Sequence, residues 1–334
     1  MIFNGCKWTA LILGITLLTA CSAEERSPVR RTQFIMGTLV EITVSHADEK
    51  VANLAMTQAF DEMRRIEKLM STYLLDSEIS QLNRSAGGAA LALSPEVVEV
   101  LREAVRWGEA SAGAFDVTIE PVARLWNFDE EEPQAPEPER LQRALTRINY
   151  RDIEIENDRV RLAQPGMAVN LGAIAKGYAV DRAAALLRGL VPNGIINAGG
   201  DLTAFGRRNP EDPWIIGLQH PREPNKVLAS FAVEKRGVAT SGDYQKYFIR
   251  DGVRYHHILN PTTGLPARGL TSVTVIAPSV MQADALATAA FVMGAEKGLA
   301  WLDSLPEVEA LVVLADGKLR FTNGFQKQPQ FSLR

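Results

Sequence analysis

Three short stretches of this chain each set two strand-like runs around a turn: "IEIENDRVRL" (153–162), "YFIRDGVRYHHIL" (247–259) and "ALVVLADGKLRF" (310–321). Their central pairs are Asn157-Asp158, Asp251-Gly252 and Asp316-Gly317. Asn, Asp and Gly accept the positive φ angles of a tight hairpin turn, so each stretch reads as a hairpin. Strands joined that tightly pair antiparallel, because parallel strands need a long crossover. "GIINAGGDLTAFG" (194–206), "WIIGLQH" (214–220), "VLASFAV" (227–233) and "SVTVIA" (272–277) read as further strands, and no internal repeat organises them. Hairpins outnumber strand-helix-strand units. The expected fold is α+β, with mostly antiparallel sheets and helices packed on them.

The helices show as stripes. From Glu49 to Met70 the residues Val51, Ala55, Ala59, Met63, Ile66 and Met70 share one face. Ser94-Pro95 offers an N-cap and a first-turn proline for a second helix ending near Gly113. "STYLLDSEISQLNRSAGG" (71–88) reads as a loop with one helical turn, and 282–305 as one helix. Val40, Ile42 and Val44 alternate as in a half-buried strand near the start of the folded part, residues 33–334. "NFDEEEPQAPEPER" (127–140) carries acids and prolines in series and reads as an exposed insertion, not a catalytic acid cluster.

The N-terminus has a different logic. Lys7 precedes an apolar run, Trp8 to Leu18, that is too short to span a bilayer and fits a signal-peptide core. Leu18-Thr19-Ala20-Cys21 then resembles a bacterial lipobox, with residues 1–20 removed, Cys21 lipidated and 21–32 a polar tether. The alternative is an ordinary signal peptide with a chance cysteine. Cys6 falls in the removed part, so the mature chain has no thiol for disulfides, Cys-ligated metals or cysteine nucleophiles. The expected place is the periplasmic side of a membrane; Ser22 inclines it toward the outer one. With 334 residues, 46% hydrophobic, and a net charge of -4, the chain has material for a large core. It has no basic footprint for nucleic acid.

Several residues carry possible chemistry. Asp284 and Thr288 are four apart on one helix and share a face. A carboxylate and a hydroxyl are hard oxygen ligands that suit Mg²⁺ but need further oxygens to complete a site. Otherwise Asp284 complements a helix N-terminus and Thr288 fills a gap. Of His256 and His257, one must face the core or a cleft. "NLGAIAKGYAVDRAAALL" (170–187) sets Lys176 among small residues, where backbone can approach a ligand closely. It is not a P-loop, because Lys176 precedes its glycine. Asp116 and Glu120 flank a turn in "GAFDVTIEPV" (113–122), where a paired-carboxylate site or a capped turn are both open. Tyr73 is either packing or a ring-stacking platform, and Met36 either core or a ligand contact.

Taken in order, these segments resemble the ApbE family of periplasmic flavin transferases. The likeness runs through "MGTLVEITV", "MSTYLLDSEISQLN", "GAFDVTIEPV", "NLGAIAKGYAVDRA", "NAGGDL", "ATSGDYQKYF", "HHILNPTTGLPA" and "ADALATAAFVMG". It implies an ApbE-type, T-fold-like architecture that binds FAD and Mg²⁺. It also implies cleavage of the FAD pyrophosphate, transfer of FMN to a Ser or Thr hydroxyl of a partner protein, and release of AMP. The partners would be membrane-bound redox subunits. Met36, Tyr73, Ala114, Phe115, Asp116, Asn170, Lys176 and Ile258 match FAD-contacting positions. The Ala173 carbonyl, Asp284 and Thr288 match the metal site, and His257 matches the motif histidine. The general base is His257 or Asp284. Asn170 departs from the family's commoner Asp and carries no charge. The rivals are an FAD pyrophosphatase on the same scaffold and a non-catalytic FAD-binding lipoprotein.

Overall fold

The computed structural model describes residues 28–128, 130, 133–209 and 211–334. Cys21 and the rest of the signal segment lie outside them. The described residues open with β1 (Val29–Ile35) and β2 (Thr38–Ser45) and enter α1 (Glu49–Met70). Then come α2 (Glu78–Arg84), β3 (Leu91–Ala92), α3 (Pro95–Ala110), α4 (Glu120–Trp126) and α5 (Pro138–Leu145). The hairpin β4 (Ile153–Glu156) and β5 (Arg159–Leu162) leads to α6 (Ala175–Leu190). Strands follow: β6 (Asn193–Ala198), β7 (Asp201–Phe205), β8 (Ile215–Gln219), β9 (Val227–Ala232), β10 (Gly237–Gly242), β11 (Tyr247–Arg250), β12 (Val253–His256) and β13 (Leu270–Ala277). The chain closes with α7 (Val280–Met293), α8 (Ala295–Asp303), β14 (Glu309–Leu314), β15 (Leu319–Phe321) and β16 (Ser332–Leu333).

Eight strands form one open sheet in the order β1-β2-β6-β7-β10-β13-β14-β15, antiparallel at every pair. All three hairpins expected from their turns are present, as β4–β5, β11–β12 and β14–β15. The central β13 is buried along its whole length. Its Val273 and Val275 join the core shared with α1, α6 and α7. Ile276 lies in a second core with Ile216, Leu218 and Phe231 of the small β16-β9-β8 sheet. The large sheet is thus covered by helices on one face and partly by a second sheet on the other. Phe60, Met63 and Ile66 of α1 are fully buried, each contributing about 1.5–3 kcal/mol.

Three boundaries differ from the sequence reading. The folded part starts inside the stretch read as tether, because Val29–Thr32 belongs to β1 and pairs with Glu41–Val44. β1 is a sheet edge, where polar and charged residues such as Arg30 and Arg31 blunt the open strand, so it reads as tether. The "QFIMGTLVEITV" stretch is a hairpin with Met36 (φ 54°) and Gly37 (φ 71°) at its turn, a left-handed pair suited to a two-residue loop. The helix expected over 282–305 breaks at Gly294 (φ 81°). Pro95 opens α3 as expected, although the Ser94 hydroxyl makes no capping bond.

Two helices matter most for the site. α6 and α7 touch backbone to backbone at Gly177: a Cβ there would lie 2.5 Å from the Val280 carbonyl oxygen. Gly177→Ala must push the helices apart. The expected cost is about 1–3 kcal/mol, read as a lowered denaturation midpoint. A midpoint equal to wild type would show that the two helices are not held at this distance.

Candidate active site

The loops at one end of the sheet gather beside the start of α6. The Gly199 N–H donates to the Leu39 carbonyl at 3.2 Å, which joins the β2 and β6 ends. The Gln245 amide donates to the Gly199 carbonyl at 3.2 Å. The β6–β7 turn uses Gly199 and Gly200 at positive φ, and the next residue is Asp201. From α6, Lys176 Nζ reaches Asp201 Oδ2 at 2.5 Å and Asp284 Oδ2 of α7 at 3.5 Å. Both carboxylates are buried. Burial opposes the charge on Lys176, but Asp201 and then Asp284 outweigh it and raise its pKa well above the usual value. Burial and the neighbouring Asp201 push the Asp284 pKa up, against Lys176 and the Gly177 N–H. One ammonium therefore serves two buried carboxylates, and the cluster has room in its charge balance for another cation.

The surrounding oxygens fit such a cation. Thr288 stands one turn beyond Asp284, and its Oγ1 lies 3.0 Å from Ser241 Oγ at the end of β10. The Gly177 N–H donates to Asp284 at 3.3 Å, and among the described residues no backbone donor reaches the Ala173 carbonyl. Carbonyl, carboxylate and hydroxyl are the hard ligands that Mg²⁺ prefers. Among the described residues no three His, Cys, Asp or Glu side chains form a metal cage. A cation here would be completed by neutral oxygens, water or phosphate.

The two histidines divide as strand alternation requires. His256 is buried, and its Nε2 lies 2.7 Å from the Ala267 carbonyl while Nδ1 accepts from Ile258 N–H at 3.3 Å. It is structural. His257 is exposed to solvent, although enough protein stands around it to desolvate its ring. Desolvation by the protein around it, with the charge of Lys176 nearby, pushes its pKa below the ordinary value. Its Nδ1 sits 3.3 Å from the Lys246 carbonyl. A carbonyl only accepts, so this contact assigns the proton to Nδ1 and leaves Nε2 as a free base.

The remaining predicted contacts are distributed unevenly. Tyr73 is 76% exposed, and Met36 sits at a hairpin turn with its N–H donating to Glu67 at 2.8 Å; both leave a surface for a ligand. Asn170 is held by Glu120, which accepts from Nδ2 at 2.7 Å, and by the Gly172 N–H, which donates to Oδ1 at 2.8 Å. Phe115 and Ile258, expected at the cofactor, have side chains buried in the core. The N–H and carbonyl of Ile258 are also bonded within the protein. Asp116 accepts from Thr118 N–H (2.8 Å), Thr118 Oγ1 (2.6 Å) and Tyr150 N–H (3.0 Å). That is the capped turn, and burial raises its pKa despite those bonds. A cleft of about 300 Å³ opens beside it, lined in part by Gly113, Asp116, Tyr150, Pro261 and Thr262, so the segment still borders open space next to Ala114.

The ApbE family model matches residues 36–312. The chain belongs to the ApbE family. A relative from Treponema pallidum named FAD:protein FMN transferase is 33% identical over 339 residues, covering 95% of this chain and 94% of that protein. One of the same name from Vibrio cholerae is 34% identical over 305 residues, covering 88% and 90%. The crystal structure of an ApbE protein from Thermotoga maritima is similar with a TM-score of 0.85 and 33% identity, over 91% of this chain and 100% of that one. The flavin transferase ApbE from Vibrio cholerae gives 0.81 and 32%, over 90% and 99%. The α+β, mostly antiparallel reading is the fold of this ApbE family chain.

Three site residues escaped the sequence reading. Asp201 stood inside the quoted "NAGGDL", where an acid directly after a paired-glycine turn was the available signal. Ser241 and Asp181, whose carboxylate accepts from the Val280 and Met281 N–H groups at the start of α7, stood in quoted segments too, but nothing in sequence shows which group a hydroxyl or helix carboxylate meets.

Proposed function

We propose that this chain transfers the FMN half of FAD to a Ser or Thr hydroxyl of a partner protein, with Mg²⁺, and releases AMP. The observation that carries the reading is the Lys176–Asp201–Asp284 cluster set beside His257 on an ApbE family chain. The acceptor oxygen attacks the phosphorus on the FMN side, the bridging P–O bond breaks, and AMP leaves with the bridging oxygen. Such in-line displacement is mostly positioning and charge neutralisation. Lys176 holds positive charge for the phosphates. Asp284, Thr288 and the Ala173 carbonyl would hold Mg²⁺, which supplies further neutralisation of the non-bridging oxygens. His257 Nε2 takes the hydroxyl proton; Asp284, already shared with Lys176 and Gly177, is the weaker candidate for that role. Tyr73 offers a ring face to the flavin nucleotide.

The full chain incubated with FAD, Mg²⁺ and a protein carrying the acceptor hydroxyl should release AMP, and excess chelator should stop it. AMP release undiminished in chelator would overturn the metal assignment. Tyr73→Ala should weaken FAD binding by about 1–3 kcal/mol, the scale of ring stacking on a base. Fluorescence titration checks this, and an unchanged dissociation constant would remove Tyr73 from the site.

We also propose that the mature chain is anchored through acyl groups on Cys21 at the periplasmic side of a membrane, close to membrane-bound redox subunits as acceptors. The apolar run ending in Leu18-Thr19-Ala20-Cys21 supports this. More than one chain is needed for stable anchoring. Cys21→Ser should lose the lipid and its membrane fractionation. The purified protein should keep its turnover, because none of the residues assigned to the site precedes β1, which starts at Val29. Lost turnover in detergent-matched assays would show that the N-terminal segment belongs to the site.

A further inference from the structure

We propose that Asp181 is a positioning residue: from α6 it clamps the first turn of α7 and thereby sets where Asp284 and Thr288 stand. Its two carboxylate oxygens divide between two backbone donors. Val280 N–H donates to Oδ1 at 3.0 Å, and Met281 N–H to Oδ2 at 2.9 Å. The first four N–H groups of a helix lack partners within it. Here Ala283 N–H makes the first helical bond, to the Ser279 carbonyl at 3.1 Å, and of the three donors left in the first turn Gln282 N–H goes to the Ser279 hydroxyl at 3.1 Å. Asp181 supplies the other two. Val280 is fully buried, so water is a poor substitute.

The spacing makes this clamp specific to the site. Gly177 and Asp181 are four apart on α6 and face the start of α7 together. Gly177 gives the close approach and donates its N–H to Asp284. Lys176, beside it, pairs with Asp284. On α7, residues 280, 284 and 288 fall on one stripe. A shift of the Val280 end is therefore passed directly to Asp284 and Thr288. Asp181 is half-buried, and desolvation raises its pKa to about 6 in spite of the two N–H donors. An amide in its place would satisfy only one of the two N–H groups.

The inference rests on the metal reading above, so the test measures metal binding apart from turnover. Mn²⁺ binding to the full chain is followed by electron paramagnetic resonance, for wild type, Asp181→Asn and Asp181→Glu. The glutamate keeps the charge but lengthens the arm, which guards against a variant that fails to fold. Residues that support metal ligands typically change affinity by about 10- to 100-fold. Both variants should weaken Mn²⁺ by that factor, raise the Mg²⁺ needed for half-maximal transfer in parallel, and leave FAD affinity within about threefold. Saturating Mg²⁺ should recover most of the turnover. Variants that are less heat-stable yet bind Mn²⁺ like wild type would overturn the inference and leave the metal site standing. A wild type that binds no Mn²⁺ would overturn both.

Discussion

Asp284→Ala lowers FMN transfer by roughly 10²–10³-fold, the scale of removing one group that stabilises developing charge, and added Mg²⁺ does not restore it. Two roles are lost together: the proposed anionic metal ligand and the partner of Lys176. The variant should nonetheless keep its fold. Burial raises the Asp284 pKa in the folded chain, so keeping this group ionised at neutral pH costs folding free energy. The sign follows from linkage: with a raised folded pKa, the group favours the folded state at low pH, and that contribution is lost as pH rises through the folded value. Removing it should leave the denaturation midpoint unchanged or higher at neutral pH. Thr288→Ala should be milder, because a neutral hydroxyl contributes less Coulomb attraction than a carboxylate. Transfer by Asp284→Ala within a few-fold of wild type would remove the carboxylate from the mechanism.

His257→Ala loses roughly 10²–10⁴-fold in turnover, the range for a positioned general base, while FAD still binds. In the proposed mechanism the ring acts on the acceptor's proton, which moves only in the transition state, so ground-state binding of FAD should not depend on it. The lowered pKa keeps the ring neutral at pH 7, and the Lys246 carbonyl holds the tautomer that leaves Nε2 free. Single-turnover kinetics with a parallel fluorescence titration separate the two effects. If His257→Ala bound FAD far more weakly yet turned over normally at saturation, the base would be sought at Asp284 instead.

The sheet was legible wherever a turn announced itself. Asp251-Gly252 and Asp316-Gly317 marked hairpins because few other residues accept the turn's φ angles. Met36-Gly37 is the same device, yet it was hidden, since Met is an unusual residue for a left-handed position and apolar residues flank it. β1 was hidden for the opposite reason: an edge strand beside solvent can be as polar as a tether. At the site, the Asp284–Thr288 spacing survived intact, because four residues on a helix share a face whatever surrounds them. The fates of Phe115, Ile258 and Asp116 were not legible. A motif position says that a segment borders a ligand, but whether its side chain or its backbone does so depends on packing from Tyr150, Thr118 and Ala267. Asp201 required the fold itself, because it meets Lys176 across twenty-five residues through a turn at the sheet's end.

The most direct test of the central claim follows the flavin. The full chain is incubated with FAD, Mg²⁺ and membrane proteins from the same cells. The mixture is denatured, separated by size and viewed for flavin fluorescence, with AMP and free FMN measured in parallel. The account predicts fluorescent protein bands that survive denaturation. Their masses exceed the unmodified proteins by one FMN less water on a Ser or Thr, with one AMP released for each. AMP accumulating with free FMN and no fluorescent band would make the chain a pyrophosphatase, and unconsumed FAD would make it a carrier; either result contradicts the account.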